Sequence, residues 1–204
     1  GEKVKALSRK SIRVLTYIIY PLMTGLLVVA EPLTIFLYTE KWIAMVPFVW
    51  VVCIEAIFSV PGTITLQSVK AMGYSDKMLK AEIFKKPILI LSIIIAMQYG
   101  VMAIALTLPL NTLLEFVING VMAHKTVDYS IREQLWDCLP ATIMSVLMGA
   151  GVLLVAHLPL GLGTIALLFV EILVGIVIYV LLSVITRNEE FMALASMAKQ
   201  YLKR

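Results

Sequence analysis

Six apolar runs separated by short polar stretches dominate the chain: Val14–Leu37, Met45–Val69, Pro87–Tyr99, Val101–Ala123, Leu135–Ala156 and Leu162–Ile185. A membrane-crossing α-helix needs about 20 predominantly apolar residues, and all but the third run reach that length. The third reaches it if its helix begins near Ser75, an N-cap candidate, and Pro87 only kinks it. No run alternates apolar and polar residues over about ten positions, which excludes a transmembrane β-barrel pattern. The pattern therefore predicts an all-α integral membrane fold with six transmembrane helices over residues 1–186. A short amphipathic tail over 187–204 follows, with Phe191, Leu194, Ala198 and Tyr201 on one side and Lys199, Lys203 and Arg204 toward the other. The stretch "SDKMLKAEIFKK" (75–86) is a milder case of the same kind.

Composition agrees with this environment. The chain is 61% hydrophobic and 15% charged, with mean hydropathy +0.97, against about 45–50% and about 25% for soluble domains. The charged start "GEKVKALSRK", without Met, reads as that of a fragment or a processed chain, and no signal peptide with a cleavage site precedes the first run.

The basic residues fall on one side of the alternating spans. Lys3, Lys5, Arg9, Lys10 and Arg13 precede the first run. Lys70, Lys77, Lys80, Lys85 and Lys86 lie between the second and third, and Lys125 and Arg132 between the fourth and fifth. Arg187, Lys199, Lys203 and Arg204 follow the sixth, and Lys41 alone falls on the opposite side. The positive-inside rule then makes both termini of the segment cytoplasmic and the number of crossings even. The formal net charge of +4 reads as topology and contact with anionic lipid, with no need of a nucleic-acid partner.

Three polar stripes at helical spacing interrupt the apolar runs. Glu55, Ser59, Thr63 and Gln67 recur every four residues in the second, with Pro61 and Gly62 expected to interrupt the helix. Thr107, Asn111, Glu115 and Asn119 do so in the fourth, and Glu171, Gly175, Tyr179 and Ser183 in the sixth. Lipid cannot solvate such faces, so they look toward other helices or a wet cavity. Helix-packing contacts account for the amides and hydroxyls equally well. A midspan carboxylate points to function by default, which singles out Glu55 and Glu115, with Glu171 beside them. The candidate substrate or coupling-ion cavity is thus Glu55, Thr63, Gln67, Asn111, Glu115, Asn119 and Glu171. Cations are offered only at the cytoplasmic mouth, by Arg13, Lys70, Lys85, Lys86 and Lys125. Asp137, Ala141, Ser145 and Gly149 share a face that reads as small-residue packing. Glu31, followed by Pro32, lies near the outer end of the first run beside Tyr38 and Trp42. It reads as an interfacial acid, with Pro32 loosening the last turns.

Several chemistries have no motif here. The chain lacks GxxxxGK[ST], HExxH and GxSxG, and His124 and His157 fall on opposite sides. No metal-ligand set is legible and no cofactor is expected. Cys53 and Cys138 fall toward opposite faces and are expected as free thiols. Asp76, Asp128 and Asp137 all lie on the cytoplasmic side without an aspartate-rich motif, which argues against an intramembrane enzyme.

Three segments resemble the polysaccharide flippases of the multidrug/oligosaccharidyl-lipid/polysaccharide exporter superfamily. "YPLMTGLLVVAEPLTIFLYTEKW" (20–42) is similar to that family's signature helix, with its "AEPL" pattern and Lys-Trp exit. "KAMGYSDKMLKAEIFKK" (70–86) resembles its cytoplasmic linker, and "DYSIREQLWDCLPATIMSVLM" (128–148) the entry to its penultimate helix. The resemblance implies part of a larger exporter-type helical bundle. It matches the C-terminal part, helices nine to fourteen of about fourteen, against the six spans that fit here. It implies a carrier, not an enzyme, that flips lipid-linked oligosaccharide across the bacterial plasma (inner) membrane for surface polysaccharide or lipopolysaccharide synthesis. The implied partners are the bilayer, a polyprenyl-pyrophosphate-linked oligosaccharide and the missing N-terminal helices of the same protein; the midspan carboxylates Glu55 and Glu115 could carry a proton, bind Na⁺ or contact a sugar. The family's midspan cations have no counterpart here. A multidrug cation exporter of the same fold, or a non-transporting membrane scaffold, are the alternatives.

Overall fold

The computed structural model describes residues 1–159 and 163–192, and the described residues are almost entirely helical. The α-helices are α1 (Glu2–Val28), α2 (Ala30–Tyr38), α3 (Val46–Ala71), α4 (Ser75–Ala96), α5 (Val101–Val127), α6 (Ile131–Ala156) and α7 (Thr164–Ile185), with 3-10 turns at Glu40–Met45 and Met97–Tyr99. Five are long and apolar enough to cross a membrane: α1, α3 with its preceding turn, α5, α6 and α7. The chain is an all-α, multi-pass membrane protein.

The expected sixth crossing is α4, which does not meet the same test. Asp76, Lys77, Lys80, Glu82, Lys85 and Lys86 occupy its first half, so only the half after Pro87 is free of charged residues. The helix does begin at Ser75 and runs unbroken through Pro87, but Ser75 is not its cap. Tyr74 holds that position, without a side-chain cap bond. The expected amphipathic helix of the tail lies, from residue 193 on, outside the described residues. At its start, Asn188 Oδ1 accepts from the Phe191 N–H at 3.1 Å, and Phe191 packs against Tyr17, Met144, Met148 and Tyr179.

The helices stand in the lateral order α4, α5, α3, α1, α6, α7, as their main contacts show. Close approach is set by small residues. A Cβ on Gly149 of α6 would come within 2.8 Å of Thr24 of α1, and one on Gly120 of α5 still closer to Ile131 of α6. Pro61 and Gly62 do not interrupt α3, which is continuous from Val46 to Ala71. Both are buried, and a Cβ on Gly62 would sit in ordinary contact with the Phe116 backbone of α5, at 3.5 Å.

The first apolar run does break, at Val29. Pro32 has no N–H to give the Val28 carbonyl, and its ring crowds that carbonyl. The Leu27 carbonyl accepts instead from the Trp50 indole of α3 at 3.1 Å. Glu31 lies exposed in the first turn of α2, where an acid interacts favourably with the helix dipole.

Candidate functional site

Helices α3 and α5 enclose a cleft of about 90 Å³ lined by Glu55, Ser59, Thr63, Thr112, Glu115 and Asn119, with Gly62, Leu66 and Phe116 completing its walls. Two of the sequence stripes thus meet face to face. Glu55 and Glu115 are each half-buried. Thr112 Oγ1 donates to Glu55 Oε1 at 3.1 Å, which fixes one carboxylate oxygen and leaves the other free. At the far end, Asn119 is buried and its amide reaches the Gly62 carbonyl at 3.4 Å. Its carbonyl oxygen faces Lys85 Nζ of α4, also at 3.4 Å.

Lys85 departs from the sequence expectation. It is buried, pairs with Glu82 and touches the polar seam through Asn119. Lys70, Lys86 and Lys125 are exposed, as residues of a solvated mouth would be.

Not every stripe residue enters the cleft. A four-residue step advances about 400° around an α-helix, so each step drifts by about 40°. Asn111 accordingly faces α4, donating to Ser92 Oγ at 3.0 Å and to its own Thr107 carbonyl at 2.7 Å. Gln67 turns out to an exposed position. Glu171 lies far across the row, on α7. Its stripe is a buried packing face: Gly175 abuts Val152, Tyr179 Oη donates to the Tyr17 carbonyl at 2.7 Å, and Ser183 meets the Tyr17 hydroxyl at 2.7 Å. Glu171 itself is buried, with Oε2 lacking a hydrogen-bond partner.

A second polar centre, at the basic end of α1 and α6, was not anticipated. Asp137 is fully enclosed and takes both Arg9 (Nε to Oδ2, 2.8 Å; Nη2 to Oδ1, 3.0 Å) and Arg13 (Nε to Oδ1, 2.8 Å). Tyr129 donates its hydroxyl to Oδ2 at 2.9 Å. Tyr129 lies in the turn ahead of α6, and burial, with the bond to Asp137 second, pushes its phenol well above the ordinary range, so it remains a donor. Lys5 extends the series to Glu133 at 2.8 Å. Ser130 and Glu133 close a reciprocal capping box on α6. Gln134 is buried between Thr65 of α3 (2.9 Å) and the Tyr129 carbonyl (3.3 Å). Arg13, expected free at the mouth, is thus bound to an acid on α6.

Among the described residues no group of three or more His, Cys, Asp and Glu side chains could hold a metal ion. Cys53 and Cys138 are buried free thiols.

The first quarter of the chain is similar to a known family. Residues 1–47 match the model of a family described as "Polysaccharide biosynthesis protein". No curated protein and no solved structure matches the chain.

Proposed function

We propose that this membrane protein is a carrier that moves lipid-linked oligosaccharide across the bacterial plasma membrane during surface polysaccharide or lipopolysaccharide synthesis. The observation that carries the reading is the match of residues 1–47 to a polysaccharide-biosynthesis family, on a chain of long apolar helices. In this reading the basic end is cytoplasmic, as the distribution of Lys and Arg favours. The whole of α4, Ser75–Ala96, makes a sixth crossing in this scheme, its length of 22 residues being enough to span, and the protein transports without catalysing a reaction.

The α3/α5 cleft is the coupling site in this scheme. Its volume of about 90 Å³ suits a few waters, each ~30 Å³ in the liquid, or a cation, and is too small for a sugar chain. Two carboxylates beside hydroxyl and amide oxygens form a hard oxygen set suited to H⁺ or Na⁺. The same pair of acids also supports a second reading, an exporter of organic cations, since no lysine or arginine lines the cleft.

The test is Glu115→Gln, which keeps size and hydrogen bonding but cannot ionise. In cells that depend on this protein, surface glycan should be lost while the variant reaches the membrane in normal amounts. Normal glycan delivery would remove Glu115 as a coupling group. Drug sensitivity with unaltered glycan on deletion of the protein would select the cation exporter.

A further inference from the structure

The basic end holds a second cavity, unrelated to the α3/α5 cleft. A space of about 470 Å³ is walled on one side by Arg9, Lys10 and Arg13 of α1 and on the other by Glu189 and Glu190, just after α7. A smaller recess of about 190 Å³ continues it inward past Arg13, Asp137 and Tyr17, with both glutamates on its rim. Tyr17 also borders an apolar groove of about 520 Å³ along α1 and α7, lined by Ile18, Leu22, Ile176 and Val180 among others. These four side chains are exposed on the bundle's apolar flank. From Arg13 to Leu22 the helix rises roughly 14 Å. Polar cleft and apolar groove therefore form one continuous track, from the end of α7 into the apolar zone.

We infer that this track binds a membrane phospholipid with a zwitterionic amine headgroup, phosphatidylethanolamine. Its phosphate lies against Arg9, Lys10 and Arg13, its ammonium against Glu189 and Glu190, and one acyl chain in the groove. Charge selects this occupant. The two arginines' ion pairs go to Asp137, and among the described residues none crosses to Glu189 or Glu190. Asp137 holds one edge of each guanidinium, so the remaining N–H groups are fixed in direction and still part-exposed, at 38% and 41% for the two side chains. Such preorganised forks suit a phosphate. The facing wall is acidic, so a purely anionic headgroup meets repulsion there. A choline headgroup reaches that wall without an N–H to donate. Only a headgroup with an anion and a hydrogen-bonding cation complements both walls. With three cations and three acids around the space, its formal charge is balanced, which also disfavours a multiply charged diphosphate.

Native mass spectrometry of the detergent-solubilised protein, titrated with dioleoyl phosphatidylethanolamine, phosphatidylglycerol and phosphatidylcholine, tests this. The ethanolamine lipid should bind preferentially, by roughly three-fold or more, the scale of exposed ion pairs. Glu189→Gln with Glu190→Gln should abolish that preference and shift it toward the glycerol lipid. Lys10→Gln, at an exposed position outside the Asp137 centre, should weaken all three lipids without unfolding the protein. Equal binding of the three lipids, a wild-type preference for the glycerol lipid, or a preference unchanged in the double variant would overturn the assignment. None of these outcomes depends on whether glycan is transported.

Discussion

The Asp137 centre and the Glu55/Glu115 cleft place acids in helix contacts in opposite ways. Asp137 has each oxygen taken by donors from α1 or the α6 entry, and it is closed from solvent. Glu55 has one hydroxyl partner and, with Glu115, lines an open cleft. A carboxylate matched by two guanidinium groups is committed to holding helices together. A half-buried carboxylate with a single donor keeps acceptor capacity for a further partner. Position in the sequence pattern does not distinguish these roles; the number of donors brought from distant segments does.

Breaking the committed centre should have the largest effect. Arg9→Ala with Arg13→Ala leaves a buried carboxylate facing only Tyr129, and should lower stability by about 3–5 kcal/mol, read as an earlier unfolding midpoint in a denaturing-detergent titration. A loss under 1 kcal/mol would mean that the centre does not hold α1 to α6. Tyr129→Phe removes one bond to a charged group and should cost about 1.5–3 kcal/mol in the same assay. Glu55→Gln and Glu115→Gln should each change stability by no more than about 0.5 kcal/mol. A large loss from either would move the cleft into the structural class and erase the contrast.

Much of the fold was legible because lipid imposes a simple code. Run lengths located α1, α3, α5, α6 and α7, and the four-residue stripes identified the α3 and α5 faces that meet. The stripes failed where the period of four outruns the helix's 3.6, so that Asn111 and Gln67 rotate away from the cleft while Thr112, one place off the stripe, rotates in. Asp137 was hidden for another reason. It shares a face with Ala141, Ser145 and Gly149, all buried packing positions, and its partners on α1 lie 124 and 128 residues away. Arg9 and Arg13 read as topology signals, and nothing in a linear pattern pairs them with one acid. Lys85 was likewise read as an edge charge because α4's first half is so polar; its burial follows from the packing of α4 on α5.

The break at Val29 has a mechanical consequence. In a continuous helix each turn inherits its direction from the one before, through carbonyls that accept from four residues ahead. Here the Leu27 carbonyl is tied sideways to Trp50, and Pro32 offers nothing to Val28. Val29 alone carries the ladder across, its N–H bonding back to Gly25 at 3.0 Å and its carbonyl accepting from Leu33 at 2.9 Å. With so slender a link, α2 rests for lateral support on α7 and on α3 with its leading turn. The tip from Ala30 to Tyr38 is thus joined to α1 through a single residue and braced from the side by α3, its leading turn and α7.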